Sequence, residues 1–166
     1  VVATPTDPEM GSTLGNALGT ADADGNSLTL ENFVPGDYAT FSIAVDNQST
    51  VTVNYRTIIS VSEDNGLASG LVITIGGVEY KNSANGQLAA SNWTSITPEQ
   101  GDDTVSVVVA LPETAGNEYQ AKSCKITYAV EAIQGNVIVM ESATDIHNST
   151  TMSGTFQLTS DVKTSE

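Results

Sequence analysis

Residues 51–62 have the sequence VTVNYRTIISVS, in which β-branched and aromatic residues alternate with polar ones. Such residues favour strands because branched and aromatic side chains pack well on a pleated, half-buried surface. Val51, Val53 and Tyr55 share one face, and the apolar phase shifts near Ile58-Ile59, which predicts a β-bulge there. The stretch therefore predicts a long strand with one face turned towards a core.

Similar patterns recur on both sides of this stretch, separated by turn residues. They occupy residues 27–34, 38–45, 71–81, 104–111, 119–132, 137–140 and 152–162. Asp24-Gly25 and Gly76-Gly77 are typical of tight hairpins, and the run at 104–111 is apolar enough to be buried on both faces. About eight to ten strands without a helical period predict an all-β fold, a two-sheet jelly-roll-like sandwich.

The first ten residues, VVATPTDPEM, contain two prolines and no helical period, which predicts an extended N-terminal arm. We divide the chain into this arm, residues 1–12, and a single β-sandwich domain, residues 13–166. With 39% hydrophobic but only 5% aromatic residues, the core of that domain must be aliphatic.

The charge of the chain restricts its partners. Twenty acidic residues against five basic ones give a formal net charge of −15. Nucleic acid and anionic membrane surfaces are therefore not expected partners, because both are bound through clustered Lys and Arg. No apolar run approaches the ~18 residues of a membrane span, so no membrane insertion of the mature form is expected.

The start of the chain, Val1-Val2-Ala3, has neither an initiator Met nor the apolar segment of a signal peptide. We interpret it as a mature terminus left after signal-peptide removal, although a chain trimmed for expression would start in the same way. A secreted, extracellular or cell-surface protein is expected.

Candidate catalytic groups are few. The single cysteine, Cys124, lies in a predicted strand and is expected to be a buried small apolar residue. A nucleophilic cysteine needs a base, and the only histidine, His147, lies in a polar stretch. Motifs of metalloproteases, redox dithiols, phosphate-binding loops and nucleophile elbows are missing from the sequence. We predict no enzyme, no catalytic residue, no cofactor and no metal site.

Two acidic segments could be taken for cation sites. Residues 22–26, DADGN, resemble the start of a calcium loop, but Phe33 stands where the loop's final glutamate belongs. A hairpin turn is the preferred interpretation. Asp102 and Asp103 beside Glu99 are interpreted as a solvated acidic loop.

Three glycosylation sequons fall in predicted loops. They begin at Asn47, Asn92 and Asn148. In a secreted protein each is a candidate for a surface glycan.

Two motifs carry a resemblance to a known family. Residues 30–37, LENFVPGD, precede an alternating strand that ends in Asp46-Asn47, and residues 119–134 have the sequence YQAKSCKITYAVEAIQ. Together they resemble the TasA/camelysin family of secreted fibre-forming proteins, which includes the archaeal bundling pilins. The similarity covers about residues 13–134. Ala121 stands where the family usually has glycine, and Phe33-Val34 lengthens the spacing before Pro-Gly-Asp.

The resemblance implies a subunit that polymerises with identical subunits into an extracellular filament, either a biofilm matrix fibre or a bundling pilus. In such fibres the N-terminal segment of one subunit completes a sheet of the next, a process called donor-strand exchange. Neighbouring filaments are possible further partners, in bundles. The donor strand expected here comprises Val1, Val2, Ala3, Thr4 and Pro5. Residues 155–162 form a rival donor.

A monomeric cell-surface carbohydrate-binding or adhesin module is the alternative function. It would require exposed aromatic side chains, for which Trp93, Tyr80 and Tyr119 are the candidates. A hydrolase using two carboxylates is the enzymatic alternative, but acidic pairs arise easily in so acidic a chain.

Overall fold

The computed structural model describes residues 1–81 and 87–134, with the side chain of Gln87 excepted. These residues form twelve strands and two single 3₁₀ turns, Ala68–Gly70 and Asn117–Tyr119, which are joined by turns and loops. The strands are β1 (Val2–Pro5), β2 (Glu9–Ser12), β3 (Thr20–Asp24), β4 (Ser27–Glu31), β5 (Asp37–Asp46), β6 (Val53–Ser62), β7 (Val72–Ile75), β8 (Val78–Lys81), β9 (Gln87–Ala90), β10 (Thr94–Ile96), β11 (Asp102–Ala110) and β12 (Ser123–Gln134).

The strands form two antiparallel sheets that pack as a sandwich, which confirms the predicted fold class. The first sheet has the order β1-β5-β11-β7-β8, with β2 also paired to β5. The second has the order β10-β6-β12-β4-β3, with β9 also paired to β6. Each sheet therefore ends on one side in an edge made of two short strands that pair with the same long strand.

The core lies between the sheets and is aliphatic, as the composition predicts. In β5 the residues at 39, 41, 43 and 45 are buried, and in β6 those at 53, 55, 57 and 59. Because side chains alternate across a strand, these positions face the opposite sheet. The largest fully buried side chains are those of Phe33, Leu30, Ile43, Ile59, Leu67, Leu71, Ile73, Leu88, Ile96, Leu111 and Ile126.

Two details of the strand predictions need correction. β11 is buried on one face only, since Ser106 is exposed and Val108 is half-buried between buried valines. The predicted phase shift within β6 does not occur, because its inward positions stay in one phase to Ile59. The β-bulge predicted near Ile58-Ile59 is nevertheless present, in the pairing with β9, where Ile59 faces Ala89 and Ser60 faces Gln87. Leu88 is thus the extra residue.

Both predicted hairpins are confirmed. β3 and β4 pair around Gly25, whose φ is +62°, and β7 and β8 pair around Gly76 and Gly77, with φ of +58° and +87°. Two-residue hairpin loops need such positive φ values, which glycine adopts without a steric penalty. The predicted strands at 137–140 and 152–162 lie outside the described residues.

The predicted arm is part of the first sheet. β1 and β2 both lie within residues 1–12, and both pair with β5 of the same chain. Among the described residues the sandwich therefore begins at Val2 rather than at residue 13. No local sequence pattern predicts this partner, because β5 is about 40 positions further along the chain.

Candidate assembly edge

β1 is a four-residue strand at the edge of the first sheet. It pairs antiparallel with residues 43–46 of β5, and its other side pairs with no strand in the described part of the chain. Ala3 packs against the core, whereas Val1 and Val2 remain 47% and 46% exposed. Only one side chain of the expected donor's first three residues therefore contacts the interior, and the apolar contact that holds β1 in place is small.

A break at residues 6–8 separates β1 from β2. The Thr6 N–H donates to the Ser42 carbonyl at 2.8 Å, and the Ser42 N–H donates to Thr6 Oγ1 at 2.9 Å. Two residues further on, Pro8 has no N–H to offer a strand partner. The hydroxyl thus replaces a backbone carbonyl at the point where the strand leaves its ladder, and β2 resumes pairing with β5 at Glu9.

The second sheet has a broken edge of the same kind. Between β9 and β10, the Ser91 N–H donates to the Thr57 carbonyl at 2.9 Å, and the Thr57 N–H donates to Ser91 Oγ at 2.8 Å. A single hydroxyl again satisfies an N–H of the long strand. Both double edges are therefore closed by a Ser or Thr side chain, a role that sequence patterns do not reveal.

The edges differ in charge. β3 carries Asp22 and Asp24, and β8 carries Glu79 and Lys81, while β1 and β10 carry no charged side chain. Charged edge residues discourage pairing with another chain. Of these two uncharged edges, β1 is the one followed directly by the break at residues 6–8.

The Pro-Gly-Asp turn holds the segment between β2 and β3 in place through Asp37. This carboxylate is fully buried, and its Oδ2 accepts from the N–H groups of Leu18, Gly19 and Val34 at 3.1, 2.8 and 3.1 Å. The turn before it uses Gly36 at φ +95°. The motif thus ties the segment between β2 and β3 to the start of β5, where β2 pairs.

Ala121 adopts a left-handed backbone conformation, with φ of +58°. A side chain at Cβ makes that conformation unfavourable, whereas glycine adopts it freely. The position where the resembled family usually has glycine is therefore one where the backbone favours glycine in this chain.

The three sequons differ in accessibility. Asn47 is 4% exposed, and its Nδ2 donates to the carbonyls of Val51 and Ile96 at 2.9 Å each. Its amide nitrogen is thus engaged inside the folded domain, which argues against Asn47 as a surface acceptor. Asn92 is exposed between β9 and β10. Asn148 lies outside the described residues.

Cys124 is buried in β12, as predicted. Burial raises the pKa of its thiol to about 12, and the nearby Asp64 carboxylate contributes to the rise. A protonated thiol is a poor nucleophile. His147 lies outside the described residues.

The candidate aromatic residues do not form one platform. The Trp93 ring stacks against the guanidinium of Arg56, with 4.8 Å from Cζ to the ring centroid, and Arg56 pairs with Glu131 at 2.8 Å. Tyr80 lies in β8, and Tyr119 closes one 3₁₀ turn. They belong to separate elements, so the adhesin alternative gains no common aromatic surface from them.

One acidic segment lies in a hairpin, and the other lies at the start of a strand. Asp22 and Asp24 are exposed in the β3–β4 hairpin, while Asp102 and Asp103 open β11. Within residues 1–81 and 87–134, no group of three or more His, Cys, Asp or Glu side chains could hold a metal ion. None of the described helices is long and apolar enough to cross a membrane.

No protein-family model, no curated protein and no solved structure matches this chain.

Proposed function

We propose that this chain is the structural subunit of an extracellular filament, a biofilm matrix fibre or bundling pilus, and that donor-strand exchange joins its subunits. The donor is the segment of Val1, Val2, Ala3, Thr4 and Pro5. In the exchange, β1 leaves its own β5, the chain turns at residues 6–8, and β1 pairs with residues 43–46 of the next subunit.

The observation that carries the proposal is the position of β1. It is a four-residue, uncharged edge strand whose inward side chains, those of Ala3 and Pro5, are only half-buried, and a break follows it. Release of β1 uncovers the backbone groups of residues 43–46, which need a new partner. An identical β1 from another subunit supplies the same hydrogen bonds and the same small side chain, as in other cases of strand addition.

The geometry of such an exchange favours a linear polymer. Each subunit gives β1 at one place and receives β1 along β5, so the contact joins two different surfaces. Contacts of that kind produce open filaments unless the rotation between subunits closes a ring. A filament also protects every receiving edge with the next subunit, which removes the liability of an open strand edge.

The resemblance of residues 30–37 and 119–134 to the TasA/camelysin family supports the same function and an extracellular location. The acidic surface, with a net charge of −15, is suited to a secreted polymer that must stay soluble before assembly. An exposed Asn92 leaves one described sequon able to carry a glycan on the filament surface.

Removal of residues 1–5 tests the proposal. We expect the truncated protein to stay folded, because β2 remains on β5, and to form no filaments by negative-stain electron microscopy. Leu18→Ser is the matched control: Leu18 is 69% exposed but lies outside β1, so filaments should form. Normal filaments from the truncated protein would refute the N-terminal donor.

A further inference from the structure

On the side of the sandwich away from β1, a cleft of about 290 Å³ opens between the two sheets. It lies where β8 of the first sheet faces the edge made by β9 and β10 of the second. Six of its lining residues carry the argument below: Tyr55, Thr57, Tyr80, Asn92, Asp103 and Thr104. They come from four separate parts of the chain, so no sequence motif predicts the cleft.

Thr57 places an unused hydroxyl in the wall of this cleft. The residue is fully buried, and among the described residues its Oγ1 has no hydrogen-bond partner. Both backbone groups of Thr57 are paired: its N–H donates to Ser91 Oγ, and its carbonyl accepts from the Ser91 N–H. A buried hydroxyl without a partner costs free energy, so an occupant with an oxygen or N–H near Thr57 would be favoured.

Across the cleft, Asp103 forms a fixed acceptor. Tyr55 donates its hydroxyl to Asp103 Oδ2 at 2.5 Å, and the Thr104 N–H donates to Asp103 Oδ1 at 2.9 Å. Each carboxylate oxygen can still accept a further hydrogen bond, because it has more than one lone pair. Two protein donors hold the carboxylate in place, so a ligand need not order it on binding.

The remaining lining adds apolar surface and neutral polar groups. Tyr80 contributes a half-buried aromatic ring, Tyr55 contributes its hydroxyl end, and Asn92 contributes an exposed amide at the rim. Among the described residues that line the cleft there is no Lys, Arg or His, while Asp103 is negative. An anionic ligand would therefore meet repulsion without compensation, whereas a neutral ligand with several hydroxyls could use every one of these groups.

We propose that this cleft binds one neutral saccharide unit. The ring of Tyr80 offers apolar surface to the C–H face of a sugar ring, Asp103 and Thr57 hydrogen-bond its hydroxyls, and Asn92 does so when its amide carries no glycan. The volume is at the small end of ligand sites, which limits the occupant to about one ring. This site does not depend on filament assembly, since all of its residues belong to one subunit and none belongs to β1.

Titration of the unglycosylated monomer with the methyl glycosides of glucose, galactose, mannose and N-acetylglucosamine tests the proposal. Binding is followed by saturation-transfer and two-dimensional NMR. We expect saturable binding of at least one of them, with shifts at Thr57, Tyr80 and Asn92. Sodium glucuronate, which has a similar ring with a negative charge, should bind more weakly.

Thr57→Val keeps the shape of the side chain and removes the hydroxyl. We expect it to weaken binding by about tenfold, since one hydrogen bond to the ligand is lost. Asn92→Ala, at the exposed rim, should weaken binding in the same direction. Thr127→Val, in β12 of the same sheet beyond the cleft, should leave binding unchanged.

Three results would overturn the proposal. One is the failure of all four glycosides to bind, which would leave the cleft as a space for water. Another is a set of shifts centred on Trp93 or elsewhere outside the cleft. The third is unchanged binding in Thr57→Val. Loss of sugar binding with intact filaments, or the reverse, separates this site from the assembly edge.

Discussion

Thr6 and Ser42 close the break in the first sheet by a reciprocal pair of hydrogen bonds, with Thr6 Oγ1 accepting from the Ser42 N–H at 2.9 Å. The Thr6 hydroxyl therefore holds the first residue of the break at residues 6–8 against β5. Because the inward side chains of β1, those of Ala3 and Pro5, are small and only half-buried, this pair is a main tie between the donor segment and its own subunit.

Thr6→Val removes that tie while keeping a β-branched side chain. We expect a loss of about 0.5–1 kcal/mol in the free energy of unfolding, since the Ser42 N–H is near solvent and water can partly replace the hydroxyl. Amide hydrogens of β1 should exchange faster, and filaments should form sooner. Hydrogen exchange and light scattering measure the two effects. Thr4→Val, which changes an exposed residue of β1 itself, is the control. Equal behaviour of both variants would show that the Thr6–Ser42 hydrogen bonds do not hold β1 in place.

Asn47 is expected to be a structural residue. Asn47→Ala breaks its hydrogen bonds to the carbonyls of Val51 and Ile96, which join the β5–β6 connection to the end of β10. The loss should be about 2 kcal/mol in urea denaturation, because the buried Ile96 carbonyl loses a donor, whereas the Val51 carbonyl still accepts from Ser49 Oγ at 2.9 Å. Asn92→Ala, which is exposed, should change stability by less than about 0.5 kcal/mol. Similar values for both would contradict this role.

Ala121 is expected to be under backbone strain. Ala121→Gly should stabilise the domain by about 0.5–1 kcal/mol, since glycine relieves the left-handed conformation but has more freedom to lose on folding. Ala129→Gly, an exposed position in the extended part of β12, should destabilise by about 0.5–1 kcal/mol instead. Chemical denaturation compares the two, and a loss of stability in Ala121→Gly would show that the strain is absent.

Cys124 should make stability fall in alkali. Burial raises the pKa of the folded thiol to about 12, whereas an unfolded thiol ionises at about pH 8.5. The contribution is therefore complete below about pH 8.5 and is lost as the pH rises towards 12, at up to about 1.4 kcal/mol per pH unit.

Urea denaturation between about pH 9 and pH 10 isolates this effect, because the tyrosines whose pKa values are also raised, Tyr55 and Tyr128, ionise in the unfolded chain only at about pH 10. In that range Cys124→Ala should show a flatter decline than the original protein, even though its smaller side chain lowers stability at every pH. Parallel declines would mean that the thiol is not protected by burial.

The sequence predicted the parts of the fold that depend on local pattern. Alternation identified the inward residues Phe41, Ile43 and Val45, and glycine pairs identified the β7–β8 hairpin. It overestimated the burial of β11, because a run of valines looks alike whether one face is covered or both.

Features made by residues far apart in the chain were missed. β1 was expected to be free, since a four-residue strand that ends in Pro5 carries no sign of its partner β5. The hydroxyls of Thr6 and Ser91 act only because a strand breaks beside them. Likewise, the cleft around Thr57 depends on the packing of the two sheets, which composition and spacing do not specify.

The most direct test of donor-strand exchange is a cross-link between β1 and β5. Thr4 lies opposite Ala44, and both are exposed, so Thr4→Cys with Ala44→Cys places two thiols within the reach of a disulfide. The doubly substituted protein is assembled under reducing conditions, oxidised as filaments, and separated on a denaturing non-reducing gel. Exchange of β1 between subunits should give a ladder of covalent oligomers. Filaments that yield only internally cross-linked monomers would contradict it.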